Sequence, residues 1–317
     1  MGAGQSTLSR RQRSKALPKP TLIVTTCSAG KRCRRPLSAK SLRRGKLSDT
    51  AAAWIDRLRR EPALVPASRL YKGRAFRMAI EASEAGAADL AILSAGLGYV
   101  RSGTSIPGYD LTIRPKGPGS IVPKIVGDID AARWWTAVKK GPFSSNPVKD
   151  AREHSRVLVC LSKAYADMVQ RDLLAISRID GLELRIFGLS LVEHLDKALQ
   201  PHVMPYDERL DLLGRPGTRV DFPQRALLDF VTHVAPGSLQ SDRDAVSARL
   251  APFIADRSVR KQRRLSDQDI RTLIIGLMPK LGSASTRMLR HLRDVECVSC
   301  EQSRFARIFN EVKREVS

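Results

Sequence analysis

TLIVTTCSAGK, residues 21 to 31, decides the fold. Thr21 to Thr26 is a β-branched apolar run of the kind that suits a strand buried on both faces. It ends abruptly in Cys27-Ser28-Ala29-Gly30-Lys31, a small-residue exit that lets backbone approach a ligand. Three later runs repeat the pattern. Leu90 to Leu93 leaves through Ser94-Ala95-Gly96-Leu97-Gly98-Tyr99, Arg156 to Leu161 through Ser162-Lys163, and Leu182 to Phe187 through Gly188-Leu189-Ser190.

Helical patterns at Arg74 to Glu84 and Ala164 to Ile176 lie between these runs. Alternation of this kind predicts βαβ units, hence an α/β domain with a parallel sheet over about residues 21–235. Ligands of such sheets sit beyond the carboxyl ends of the strands. Four small or polar exits on one inferred edge therefore point to a shared cleft rather than four separate turns.

Charge is the strongest global signal. The 317 residues carry 55 Lys+Arg against 32 Asp+Glu, a net charge of +23. A chain this basic is expected to meet a polyanion, and DNA is the expected partner. Aromatic residues make up only 5%, which argues against an extended stacking platform for single strands. No apolar run approaches the roughly 18 residues of a membrane span, and the first 20 residues hold no signal-peptide core. Five cysteines, an odd number, do not suggest a disulfide framework, so a reducing cytoplasm is the expected compartment. Cys297-Val298-Ser299-Cys300 is a lone CxxC without the further ligands of structural zinc, and no metal or cofactor is expected.

Residues 1–20 read as a disordered basic arm, although Met1-Gly2-Ala3-Gly4-Gln5-Ser6 also fits an N-myristoylation pattern. Residues 236–264 read as a linker closing in a basic cluster at Arg257, Arg260, Lys261, Arg263 and Arg264. Beyond it, residues 265–317 read as a small helical domain. Ser266 and Asp269 form a capping box ahead of Ile270 to Met278, and a second helix spans Ser285 to Asp294. A third, from Ser299, repeats Phe305, Ile308, Phe309 and Val312 at helical spacing. Arg287, Arg290 and Arg304 suit a helix-turn-helix-like unit on a nucleic-acid backbone; a helical cap with solvated basic faces is the alternative.

The candidate chemistry gathers around Ile106-Pro107-Gly108-Tyr109-Asp110. Asp110 either caps the local turn or faces the cleft. Facing the cleft, it would orient a water and stabilise positive charge developing on a sugar ring. Ser94 and Tyr109 are its expected companions in catalysis. Cys27, Ser28, Gly96 and Tyr99 are expected at a bound base, with Tyr99 or Tyr109 stacking on it. Lys31 and Arg32, with Arg69, Lys72 and Arg74 of Ser68 to Phe76, are expected on phosphates. Trp134-Trp135 reads as packing, with base stacking as the alternative. Asp221 and Gln224 stand at a helix entrance, where Asp221 reads as the cap.

The segments Cys27-Ser28-Ala29-Gly30-Lys31, Leu70-Tyr71-Lys72-Gly73-Arg74-Ala75-Phe76, Leu93 to Gly98 and Ile106 to Thr112 together resemble a family of bacterial domains. That family is distantly similar to the YaaA peroxide-stress proteins and to uracil-DNA-glycosylase-like folds. It includes phage-defence DNA glycosylases acting on glucosylated hydroxymethylcytosine. The resemblance implies a uracil-DNA-glycosylase-like parallel-sheet domain, with Ser94, Tyr109 and Asp110 at motif positions. It also implies base excision that leaves an abasic site. Two other readings stay open: a non-catalytic DNA-binding stress or regulatory protein, and an enzyme modifying a deazaguanine-type base.

Overall fold

Thr21–Thr26 forms the middle strand of a five-stranded sheet. The computed structural model describes residues 19–34, 36–117, 119–214, 216–253 and 263–316. The chain divides into two units, Met1–Phe253 and Ile254–Ser317. In the first, the elements run β1 (Thr21–Thr26), β2 (Leu37–Ser38), α1 (Leu47–Arg60), β3 (Val65–Pro66), α2 (Ala67–Leu70), α3 (Arg74–Ala85), β4 (Asp89–Ser94) and β5 (Gly98–Arg101). They continue as β6 (Ser105–Ile106), β7 (Tyr109–Asp110), α4 (Ala131–Val138), α5 (Pro147–Ala151), β8 (Arg156–Cys160), α6 (Lys163–Ser177), β9 (Glu183–Phe187), α7 (Phe222–His233) and α8 (Leu239–Leu250).

The sheet order is β5-β4-β1-β8-β9. β4 and β8 flank β1 in parallel, with Val24 opposite Ala91 on one side and Val159 on the other. β9 continues the parallel run, whereas β5 turns back antiparallel on β4 at the edge. The architecture is therefore mixed α/β around a central sheet, as the alternating pattern predicts, with a hairpin strand in the stretch expected to be a loop.

Alternation along the strands divides the core into two layers. Leu22, Val24, Val157, Val159, Leu184 and Ile186 pack in one cluster with Trp54 of α1, Trp134 of α4 and Val169 of α6. Ile23, Leu158, Cys160 and Phe187 pack in a second with Leu227 and Phe230 of α7 and Val246 and Leu250 of α8. Each large apolar side chain so buried contributes about 1.5–3 kcal/mol. The α1 stripe Ala51, Trp54, Ile55 and Leu58 shows how the helical period supplies one such layer. Trp134 and Trp135 are both buried, so packing is the reading the structure supports for the tryptophan pair.

Segment 236–253, expected as linker, belongs to the first unit instead. Val246 and Leu250 of α8 enter its core, and Asp242, wholly buried, accepts from Arg185 Nε at 2.6 Å and from the Arg156 guanidinium. Gly237 N–H closes the cluster on the same carboxylate at 3.0 Å. Apolar periodicity could not reveal this anchor, because it is ionic. Arg257, Arg260 and Lys261 of the expected basic cluster lie outside the described residues, as do the basic arm to residue 18 and the Met1 to Ser6 pattern.

The second unit is helical, comprising α9 (Asp267–Leu281), α10 (Ser285–Asp294) and α11 (Gln302–Val316). Ile270, Ile274, Met288, Leu292, Phe305, Ile308, Phe309 and Val312 form its core. The Ser266/Asp269 capping box is present. α9 continues through Pro279 for its last turn and stops at Gly282, whose φ of 70° is one an L side chain rarely adopts.

No helix among the described residues is long and apolar enough to cross a membrane.

Candidate active site at the carboxyl ends of the strands

From β1 the chain moves outward to β4 and β5, then returns to the opposite side of β1 to build β8 and β9. The connections leaving β1 and β8 therefore diverge, and a crevice opens between their carboxyl ends. A cleft of about 530 Å³ lies there, bordered by Cys27 and Ser28 after β1, Ser162 to Tyr165 after β8, and Arg219 and Gln224 around the start of α7. A second lobe of about 210 Å³ shares Cys27, Ser28, Arg114 and Tyr165 with it and adds Lys31, Asp110 and Lys116.

The charged residues of this lining are five cations, Lys31, Arg114, Lys116, Lys163 and Arg219, and one carboxylate, Asp110, among the described residues. The first turn of α6 adds its amide dipoles to the same wall, and its N-cap Ser162 makes no side-chain cap bond. Partial positive charge at a helix start reinforces the cations, so the field in the cleft favours an anion.

Tyr109 and Asp110 are adjacent, yet they do different things. They form β7, which pairs with β2 through Leu37 opposite Tyr109 and Ser38 opposite Asp110. Successive side chains of a strand point to opposite faces. Tyr109 turns inward and is wholly buried, whereas Asp110 turns outward into the smaller lobe. The carboxylate of Asp110 makes no hydrogen bond or ion pair with any described residue. Gly119, at φ 71°, passes directly over it, where a Cβ would fall on the carboxylate.

The expected grouping of Ser94, Tyr109 and Tyr99 in the cleft is not met. Ser94 is wholly buried and its Oγ accepts N–H bonds from Gly96 (3.2 Å) and Leu97 (3.0 Å). Its own proton is left for Tyr109 Oη at 2.6 Å, and Tyr109 can in turn donate to Tyr71 Oη at 2.8 Å. Burial holds the phenols of Tyr71 and Tyr109 well above their ordinary pKa, so the chain of hydroxyls stays neutral. Gly96 is also interior: a Cβ there would meet the Tyr109 ring, and its carbonyl accepts from Trp54 Nε1 at 2.6 Å. Tyr99 sits on the edge strand β5, buried, donating to Asp150 Oδ2 at 2.5 Å. These small and aromatic residues shape the scaffold beneath the cleft rather than its surface.

Cys27 and Ser28 do line the cleft. Cys27 Sγ stands 3.1 Å from Tyr165 Oη, and burial followed by the neighbouring thiol raises the Tyr165 phenol, which remains a donor. Ser28 Oγ is spent on the carbonyls of Gly30 and Lys72. Lys72 N–H to Gly30 carbonyl and Arg32 N–H to Leu70 carbonyl zip this loop to residues 70–72. Lys31, Arg32 and Lys72 are thereby gathered on one loop pair, with the Lys31 ammonium 4.4 Å from the centre of the Tyr109 ring. Arg32, Arg69 and Lys72 are exposed, while Arg74 donates to Pro216 carbonyl at 2.7 Å and fixes the loop before α7.

Gln224 belongs to this site although its sequence context offers only a helix entrance. It is 3% exposed, and its Nε2 donates to Thr25 Oγ1 at 3.1 Å. Its Oε1 is buried without a partner. The other buried orphan among the described residues, Arg156 Nε, has the Glu183 carboxylate 3.1 Å away. An enclosed acceptor left unpaired costs about 1–3 kcal/mol. Lys163 lies in the Ser162-Lys163 exit expected at the cleft, and Tyr165 follows it by two positions; Arg114, Lys116 and Arg219 carry no sequence signal of a site.

In the helical unit, Arg287 and Arg290 are exposed on α10. Arg304 differs: its Nε donates to Asp267 at 2.6 Å and its guanidinium to Leu265 carbonyl at 2.8 Å, so it serves the fold of the unit. Arg304 and Arg307 hold the Asp267 carboxyl below its ordinary pKa, Arg307 foremost. Among the described residues no group of three or more His, Cys, Asp or Glu is placed to hold a metal ion. Comparison with protein-family models, with curated proteins and with solved structures finds no match to this chain.

Proposed function

We propose that the protein is a DNA N-glycosylase of the uracil-DNA-glycosylase-like type, which takes an extruded modified base into the β1/β8 cleft and cleaves its bond to the sugar. The observation that carries this reading is Asp110, an unpaired carboxylate in a lining otherwise charged by cations. The cations hold the phosphates that flank the extruded nucleotide. The carboxylate then faces a sugar that becomes positively charged as the C1′–N bond breaks, or orients the attacking water. Water adds to C1′, and the base leaves with a proton, giving an abasic site. Nothing in these steps requires a cofactor.

Hydrolysis of ordinary bases would destroy the host genome, so the substrate is a modified base. Glucosylated hydroxymethylcytosine of phage DNA, in a defence role, is the first to test. Exposed Arg287 and Arg290 also favour a second reading, in which the protein binds DNA without chemistry. Alkaline cleavage separates the two. Incubation with phage DNA bearing the modified cytosine, followed by alkali, breaks strands at abasic sites if the glycosylase reading holds; tight binding without breaks removes that reading.

A further inference from the structure

We infer that the protein also cuts the strand at an abasic site: the Lys31 amine forms an imine with the sugar aldehyde, and elimination assisted by Asp110 then breaks the C3′–O bond. The inference rests on the reading of the cleft as the seat of an extruded nucleotide, but not on base excision, since an abasic sugar from any source would serve.

Lys31 and Asp110 line the same lobe of about 210 Å³ and carry opposite charge, yet they form no ion pair. Two free side chains in so small a space would close on one another; here both are held. Asp110 is set by the pairing of β7 with β2, and Gly119 passes over it. Lys31 is bridged through its backbone to Tyr71, and its half-buried side chain places the ammonium 4.4 Å from the centre of the Tyr109 ring and 5.9 Å from that of Tyr71. Both rings are buried, so the ammonium rests on the floor of the lobe instead of reaching into solvent. It makes no hydrogen bond or ion pair with any described residue. Lys116, the other lysine of this lobe, is exposed and has no ring beneath it among the described residues. A fixed primary amine and a fixed carboxylate on one cavity are what imine formation and proton abstraction need.

The steps follow from the chemistry of an abasic sugar, whose ring opens to an aldehyde at C1′. Lys31 Nζ, as the free amine, adds to C1′, and the aldehyde oxygen departs as water with one proton taken from solvent, leaving an imine protonated on nitrogen. That positive nitrogen acidifies the C2′ protons, and the Asp110 carboxylate removes one. The C2′–H electron pair becomes the C2′=C3′ double bond while the C3′–O bond breaks, its pair leaving with the 5′-phosphate of the downstream strand. Arg114 and Lys116, cations of the same lobe, stabilise the charge of that phosphate. Water then hydrolyses the imine, which returns the Lys31 amine and frees the unsaturated aldehyde. The proton on Asp110 passes to solvent, and no oxidant or reductant is consumed.

The test uses the full chain and a duplex whose single deoxyuridine has been converted beforehand to an abasic site, so it does not depend on release of any base. Borohydride reduces the imine to a stable amine, seen as a protein–DNA adduct on a denaturing gel and mapped by peptide mass spectrometry. Wild type is expected to give an adduct at Lys31 and, without borohydride, strand breaks that need no alkali. Lys31→Arg, which keeps the charge that holds phosphate but has no primary amine, is expected to abolish both. Lys140→Arg, exposed after α4 and outside the cleft lining, leaves both unchanged. Asp110→Asn is expected to keep the adduct and to slow the breaks by about 100-fold. No adduct with wild type, an adduct mapped to another amine, an adduct undiminished in Lys31→Arg, or breaks undiminished in Asp110→Asn overturns the inference. If the arginine variant does not fold, the residue mapped in wild type decides. An adduct at Lys31 without base release from modified DNA keeps this inference and removes the glycosylase reading; base release without an adduct does the reverse.

Discussion

Tyr109 Oη stands 2.6 Å from Ser94 Oγ, with both side chains wholly buried, while Asp110 next in the chain faces the cleft. The pairing ties the end of β4 to β7 and so sets the height at which Asp110 projects. Tyr109 and Ser94 act on the carboxylate only through this positioning. Tyr109→Phe and Ser94→Ala are expected to lower stability by about 1–2 kcal/mol in denaturant titration. Base release should stay within about threefold of wild type under folding conditions. A loss of release comparable to that of Asp110→Asn would place either group in the chemistry.

Alkali tests the same hydroxyls. Burial raises Tyr71 and Tyr109 above the ordinary phenol value of 10.0. The unfolded chain therefore loses these protons first as pH rises. Their contribution to stability is complete below about pH 10 and declines above it, toward the raised folded values, at up to about 1.4 kcal/mol per pH unit for each phenol. Melting temperatures followed from pH 8 to 11 should fall at the alkaline end, and Tyr71→Phe with Tyr109→Phe should flatten that fall. An unaltered alkaline slope in the double variant would contradict the buried network.

Asp242 accepts from two buried arginines, Arg156 and Arg185, and joins α8 to the sheet. Removing it leaves the two buried guanidinium groups with the partly exposed Glu183 as their remaining carboxylate. Asp242→Ala is expected to cost about 3–5 kcal/mol, since breaking a buried ion cluster leaves buried charge under-compensated. Equilibrium unfolding with intact segregation of the helical unit checks this; a change under 1 kcal/mol would mean that α8 is a dispensable appendage.

Charge reversal should distinguish the cleft cations from the arginines that serve the fold. Lys163→Glu and Arg219→Glu are expected to weaken DNA binding across sequences and to reduce the salt slope by about one each. Arg304→Glu should instead lower the melting temperature of the helical unit, because Asp267 loses a partner. Equal effects on DNA binding from all three would contradict this division.

Much of the α/β unit was legible because parallel strands announce themselves as apolar runs with small-residue exits. Thr21–Thr26 was bounded as found, and the capping box of Ser266 gave the start of α9. The site was less legible. Asp110 reached the cleft as one of the two expected alternatives, but Tyr109 did not join it, because a two-residue bridge to Leu37 and Ser38 imposes strand alternation that no local pattern advertises. Gly96 and Tyr99 have the residue types of a ligand loop and instead fit the packing around Trp54 and Asp150. Gln224 was invisible as a lining residue, since its place depends on Thr25, 199 positions away.

The most direct measurement is mass spectrometry of the free base released from phage DNA carrying glucosylated hydroxymethylcytosine, with unmodified DNA and Asp110→Asn in parallel. The account predicts release from the modified DNA alone and a loss of at least about 100-fold in Asp110→Asn, whose fold is unchanged because the carboxylate bonds to no described residue. Release undiminished in Asp110→Asn, or no release of any base from either DNA, would contradict it.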